Sequence, residues 1–397
     1  MKNNKTTLTF TGDIGFDKYM DKKWEDEDLV SKDVLDFLHD TNHLIINVEG
    51  PLYRQNNFTN EGGVKALIHS MDPDAAKFFN KIKADIWNIN NNHIMDAGKE
   101  GIESTLLIAK NNNVKTLGAG MNISEAIKPV IIDEAGKIGL IGVGYERACR
   151  IASDENPGCI NFSRMDLIKE AIEDVKSKCR WCVIVAHDGE EFTSLPMPYT
   201  RDRYLEYLNM GADIVIAHHP HVPMNYEIFD DNDISLSNKK AIFYSLGNFI
   251  FDTDYQRSQF NTEYGIILKL EFTEEDFSFN PIGIKIDRSK EQIIKCSLPD
   301  IFANVNEEEY KKLLPLAAKA FIENTKRQLK YLKPDIYLNA TDEQFLVNFN
   351  EPLRSGRVPG KLLDIPIVYK LSKEYDKEAL KESKLEKVKE YMLRQIL

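Results

Sequence analysis

Cysteine is scarce in this chain, with five residues in 397. An odd number at irregular spacing offers no disulfide framework and suits a reducing compartment. The one close pair, Cys179-Arg-Trp-Cys182, has no second pair to complete a zinc ribbon. Cys182 also opens the apolar run Val183-Ile184-Val185-Ala186, so the pair reads as structural. Long apolar runs are missing too: none approaches the roughly 18 residues of a membrane-spanning helix. Met1-Lys2-Asn3-Asn4-Lys5 leads into Thr6 without the apolar stretch of a secretory signal, so the expectation is a cytoplasmic protein with no transmembrane segment. Positive charge is in deficit, 51 Lys and Arg against 63 Asp and Glu, for a net charge of −12. No basic block offsets it, which excludes a general nucleic-acid binder. An anionic substrate would then need local help, and bound cations supply it.

What the chain does have is a succession of β-α units. From residue 6 to about 220, short apolar stretches alternate with amphipathic ones, the signature of an α/β domain around a largely parallel sheet. Strands are predicted at 8–11, 44–48, 85–89, 114–117, 138–143, 183–186 and 213–217. Helices are predicted at 74–83, opened by Pro73, and at 102–112, 165–179 and 204–210, the last closed by Gly211. Past residue 225 the strands 226–229, 241–246, 264–272 and 282–286 follow one another without helices, which predicts a second, mainly antiparallel sheet packed on the first. From about residue 306 the sequence is charged and helix-forming. There Leu385, Val388, Met392 and Ile396 make an apolar stripe suited to docking on the body, on a partner or on a second subunit. The expected division is one domain over 1–290 and a mainly helical extension over 291–397.

The most informative stretch is His218-His219-Pro220-His221, directly behind the apolar run Ile214-Val215-Ile216-Ala217. His219 and His221 stand two apart, so an extended backbone can turn both imidazoles toward one point, and neutral imidazole is the commonest transition-metal ligand. Other candidate ligands also follow strands: Asp13 after the first, Glu49 after the second, Asn92 and His93 after the third, and His187 closing the sixth. In a parallel sheet the carboxyl ends of the strands lie along one edge, so these residues converge. Alone, each has a structural reading: Asp13 and Glu49 as turn residues, Asn92 within an Asx-rich loop, His187 as a half-buried histidine. Together they form a carboxylate, amide and imidazole set without thiolate, which suits Mn, Fe or Zn. Six ligands exceed one tetrahedral ion, and one or two divalent ions are expected.

Read in order, Gly12-Asp13, Asn47-Val48-Glu49-Gly50-Pro51, Asn91-Asn92-His93 with Asp96 and Gly98, Gly118-Ala119-Gly120, His187-Asp188-Gly189-Glu190-Glu191, Gly211-Ala212-Asp213, His219-Pro220-His221-Val222 and Tyr244-Ser245-Leu246-Gly247-Asn248 form a set of motifs. The set resembles the CapA (PgsA-type) poly-γ-glutamate capsule biosynthesis proteins, over about residues 6–255. The resemblance implies a four-layer α/β/β/α sandwich of the calcineurin-like metallophosphoesterase type, with metals at the sheet ends. It implies that Asp13 and His221 bind a first metal, Glu49 bridges, and Asn92, His187 and His219 bind a second. His93 would be the general acid, oriented by Asp96, while Glu191 and Asn248 would contact substrate. Where metallophosphoesterases begin Asp-x-His, Asp13 is followed by Ile14-Gly15, and Glu49 stands where they carry Asp; the CapA family shares both changes. The implied activity is metal-dependent hydrolysis by metal-bound hydroxide, on a phosphoester or an amide-linked anionic substrate such as poly-γ-glutamate. The alternative is a non-catalytic accessory or export partner in poly-γ-glutamate synthesis.

Overall fold

A computed structural model describes residues 5–54, 69–144, 151–229, 239–332, 365–376 and 385–396. In chain order its first half holds β1 (Thr6–Ile14), α1 (Lys32–His39), β2 (His43–Val48), α2 (Ala76–Lys81), β3 (Ile86–Asn88), α3 (Gly98–Asn111) and β4 (Lys115–Leu117). Then come β5 (Ala119–Gly120), α4 (Ile123–Ala126), β6 (Val130–Ile132), β7 (Ile138–Gly144), β8 (Gly158–Cys159), α5 (Met165–Lys178), β9 (Trp181–His187), α6 (Pro198–Asn209) and β10 (Ile214–His218). The second half holds β11 (Tyr226–Phe229), β12 (Lys240–Phe243), β13 (Asn248–Ile250), α7 (Asp254–Arg257), β14 (Tyr264–Phe272), β15 (Phe277–Asp287) and β16 (Gln292–Cys296). Helices α8 (Glu307–Leu332), α9 (Ile365–Lys373) and α10 (Glu386–Leu393) follow.

These elements make a mixed α/β fold with two main sheets. The first runs β16-β15-β14-β1-β2-β3-β4, with β13 also paired to β1, and the second runs β11-β12-β10-β9-β7-β6. Period-two alternation sorts the side chains. Ile45 of β2 and Val183 and Val185 of β9 meet in one core between the sheets. Leu44 and Ile46 face the other way, onto Val34, Leu38, Phe78, Phe79 and Ile102 of the helices. Cys182, Ile184 and Ala186 likewise face Ile168, Ile172, Tyr204 and Tyr207 of α5 and α6. A full apolar side chain in such a core contributes about 1.5–3 kcal/mol. A fourth core joins α8, α9 and α10 to Leu195, Met197, Ile301 and Val305.

Two expectations about the sheets are corrected. The strands before residue 220 do not form one sheet: β1 to β4 lie in the first, while β6, β7, β9 and β10 lie in the second. The cause is local. Ala135, Gly136 and Lys137 all take positive φ (49°, 73° and 72°), and this turn folds β6 back antiparallel on β7, which opens a new sheet. Nor do the strands after 225 pair only with one another. β14 joins β1 antiparallel, and β12 joins β10 in parallel. Helix α6 begins at Pro198, with proline at its first turn, rather than at 204. Cys179 and Cys182 are buried thiols in the core around α5 and β9. The C-terminal stripe docks on the body: Val388 and Met392 lie in the fourth core, with Leu385 and Ile396 packed against it. Among the described residues no helix is long and apolar enough to cross a membrane.

Candidate metal centre

The carboxyl ends of β1, β2, β9 and β10 meet at one rim. Gly12 permits this in β1, because β13 passes so close that a Cβ there would lie 2.1 Å from the Gly247 carbonyl oxygen. Asp13 donates its N–H to that carbonyl at 2.9 Å, and its register sets it beside Asn47 and Asn248. Asn47 Nδ2 then donates to Asp13 Oδ1 at 2.8 Å, while Asn88 Nδ2 holds Asn47 Oδ1 at 2.8 Å. Glu49 leaves β2 fully buried. Neither of its oxygens has a hydrogen-bond partner among the described residues, and Oε1 lies 3.6 Å from His187 Nε2 and 3.5 Å from His221 Nε2.

His187 closes β9, with Nε2 2.8 Å from Asn92 Oδ1 and Nδ1 3.3 Å from Asn47 Nδ2. Its ring centre is 5.0 Å from that of His219. His219 and His221 leave β10 with φ of 96° and 58°. Such left-handed conformations cost side-chain-bearing residues on the order of 1–3 kcal/mol and cluster at functional sites. The His221 ring lies between Phe251, at 4.9 Å, and Phe192, at 6.0 Å. Its Nδ1 is 3.1 Å from Asp13 Oδ2 and 3.0 Å from Asn248 Oδ1. Three groups result, each with ligand atoms within 4.8 Å of one another: Asp13, Glu49 and His221; Glu49, His187 and His219; Glu191, His219 and His221.

The electrostatics follow from burial in this crowded space. Burial, with Asp13 and Glu191 adding repulsion against the attraction of His221, raises the Glu49 carboxyl well above its usual range. Burial and the neighbouring histidines hold His187 well below 6.5. Burial brings His219 down to about 4. His221 goes the other way: against its burial, Glu49 and Asp13 push it up to about 10. Burial works against ionised Asp13 as well, but its hydrogen bond and charge contacts with the histidines keep it below its ordinary value.

Beside the centre lies a second cluster. His93 Nδ1 is 2.7 Å from Asp96 Oδ2, which also accepts the His69 N–H at 2.8 Å. The His69 and His93 rings meet edge to face at 4.3 Å, and His69 Nδ1 is 2.5 Å from Asp17 Oδ2. Burial and then His69 lower His93 below 6.5. Burial disfavours the Asp17 anion, yet His69 holds its carboxyl below the usual value.

The structure thus brings Asp13, Glu49, Asn92, His187, His219 and His221 to one place, with His93 and Asp96 at its flank. Asn248 stands behind His221, fully buried, with Nδ2 donating to Gln256 Oε1 at 2.6 Å and to the Thr262 carbonyl at 2.9 Å. Glu191 lies close enough to His219 and His221 to share an ion with them. Sequence reasoning missed Asp17, His69 and Asn47. Asn47 carried a signal, being the strand-end neighbour of Asp13 in a parallel pair, but Asp17 and His69 lie outside the strands and no periodicity marks them. The donor set fits a divalent cation. A buried carboxyl with no hydrogen-bond donor among the described residues, grouped with His187 and His219, whose imidazoles burial keeps neutral, is a costly arrangement that a cation offsets.

Comparison with known proteins shows the family. The family described as bacterial capsule synthesis protein PGA_cap matches residues 7–253, more than half of the chain, and the chain belongs to that family. The Bacillus anthracis "Capsule biosynthesis protein CapA" is 26% identical over 266 residues, 65% of this chain and 62% of that protein. The match therefore spans about three fifths of that relative's length. The Bacillus subtilis (strain 168) "PGA biosynthesis protein CapA" is 26% identical over 282 residues, 70% of this chain and 71% of that one. A solved structure of a hypothetical protein from Thermus thermophilus covers 70% of this chain and 99% of its own at 11% identity, with a TM-score of 0.41, too low to guide the reading of the site.

Proposed function

We propose that the protein is a metal-dependent hydrolase of the phosphoesterase type, acting on a phosphoester or on an amide-linked anionic substrate such as poly-γ-glutamate. Glu49 carries the reading. It is fully buried and without a hydrogen-bond partner among the described residues, and two of the candidate ligand groups share it. Two sheets with a common core and helices on their outer faces suit a four-layer α/β/β/α sandwich of the metallophosphoesterase type. In this reading residues 1–290 bear the chemistry and 291–397 form a mainly helical extension, although its first segment, β16, completes the first sheet. Asp13, Glu49 and His221 would hold one ion, and Glu49, His187, His219 and Asn92 another, of Mn, Fe or Zn. Such ions lower the pKa of water and draw charge from a phosphoryl or acyl oxygen.

The chain's own groups then bind, orient and move protons. Asn47 and Asn248 fix Asp13 and His221. In neutral His93, Nδ1–H donates to Asp96 and leaves the lone pair on Nε2. Nε2 is therefore the atom that takes a proton before passing one to a leaving group. One observation favours the second reading, a non-catalytic partner that grips polymer carboxylates. Gly15 stands where the Asp-x-His pattern has its histidine, and a Cβ there would meet the Phe251 ring at 2.3 Å. A decisive assay offers Mn²⁺-loaded protein bis-(p-nitrophenyl) phosphate and γ-glutamyl amides. Turnover abolished by His187→Ala is expected; full loading with no turnover on either class overturns the hydrolase in favour of the partner.

A further inference from the structure

We infer that the C-terminal helical layer is part of this centre and positions Glu191 and Phe192 through three buried side-chain amides, Asn324, Gln328 and Gln395. The inference rests on the metal-centre reading above. All three residues lie beyond the end of the family match at residue 253.

Asn324 and Gln328 stand four apart on α8 and so share a face. Gln328 Nε2 donates to Glu191 Oε2 at 3.1 Å, the same oxygen that receives the Tyr255 hydroxyl at 3.2 Å. Asn324 Nδ2 donates to the Phe192 carbonyl, and Gln395 Nε2, just past α10, donates to that carbonyl at 2.8 Å. Arg327 ties the two donors together, reaching Asn324 Oδ1 and the Gln395 carbonyl.

These amides are 0–2% exposed, beside the apolar core that joins α8, α9 and α10. Burying an amide costs free energy unless its hydrogen bonds are recovered, and a leucine would fill the space more cheaply. The Oε1 atoms of Gln328 and Gln395 in fact have no hydrogen-bond partner among the described residues. The layer therefore carries a cost that packing alone does not explain, and what it gains is the fixed loop. Phe192 is held at φ 59°. Its N–H donates to the Pro220 carbonyl, between the two histidines, at 2.8 Å, and its ring backs His221. The preceding Glu191 sits with His219 and His221 in one ligand group. The three amides are positioning residues: they aim the Glu191 carboxylate and seat the ring behind His221.

The test titrates the full chain with Co²⁺ and follows both affinity and the visible absorption of the bound ion. Losing a hydrogen bond that orients a metal ligand weakens metal binding about 10- to 100-fold. Gln328→Ala is expected to do so and to shift the absorption bands, and Gln328→Glu, which adds like charge beside Glu191, to do the same. Val388→Ala, in the core of the same layer, is expected to lower the melting temperature while leaving Co²⁺ affinity and spectrum unchanged. Unaltered affinity and bands in both Gln328 variants overturn the inference, as does a Val388→Ala effect on Co²⁺ as large as theirs. No uptake by the unsubstituted chain overturns the metal centre itself, and this inference with it.

Discussion

Strand β2 begins at His43 and ends against Glu49, and its two ends are built on opposite rules. At the start His43 Nδ1 meets Asp85 Oδ2 at 2.7 Å, Asp85 Oδ1 accepts the Leu44 N–H at 2.8 Å, and both side chains reach solvent. On the strands across the same sheet, Lys269 meets Asp40 and Lys5 meets Glu271, each at 2.9 Å. Every one of these charges has its complement. At the far end Glu49 is fully buried and has no donor among the described residues, while burial drives His219 to about 4. Satisfied polar groups hold a fold together, whereas unsatisfied buried ones persist where something outside the chain completes them. Under the function proposed above, the contrast assigns stability to one rim and chemistry to the other, and substitutions can break it from either side.

The largest effect is expected just beside Glu49. His93→Gln removes the proton-carrying Nε2 without touching a candidate ligand, so turnover should fall by about 10²–10⁴-fold. Metal content by elemental analysis should stay the same; lost metal would move His93 from proton transfer to coordination. Next comes Glu49→Gln, which keeps the shape and removes the charge. At a free ion concentration of about 100 times Kd, a bound ion stabilises the native state by about 2.7 kcal/mol. Urea unfolding with and without Mn²⁺ should show that difference in the original chain and little of it in the variant. Equal stabilisation of both proteins would remove Glu49 from the centre.

How much of this could be read from residue types divides along the same line. Strand exits were legible, because Ile214–His218 is an apolar run that stops at a histidine pair, and parallel packing turns such exits toward one edge. Glu49 and Asp13 came from the same rule. The allocation of strands to two sheets was not legible. All seven residues of β9 are buried, so apolar side chains mark both faces and the pattern names no partner strand. Asp17 and His69 are joined only by tertiary packing, 52 positions apart. The hold on Glu191 comes from Gln328, 137 positions further on in a charged helix that reads as an appendage.

Smaller effects belong to the opposite rim. Asp85→Ala strips acceptors from His43 and Leu44, and since Asp85 is 42% exposed water replaces part of the loss. About 1 kcal/mol of stability should go, with Mn²⁺ binding intact. The finest distinction is one of pH. The hydrogen bond to Asp85 raises His43 above 6.5 against the opposing effect of burial. Between 6.5 and that raised value the native state binds more protons than the unfolded one. Stability from this pair is therefore complete below pH 6.5 and declines as pH rises through the folded value. A partly exposed pair supports less than about 1 kcal/mol of such decline. Unfolding free energies of metal-free protein, measured from about pH 6 to 9, should fall less steeply in His43→Gln than in the original chain. An identical slope in the two would mean that the amino rim owes nothing to His43 charge, and the contrast between the ends of β2 would rest on Glu49 alone.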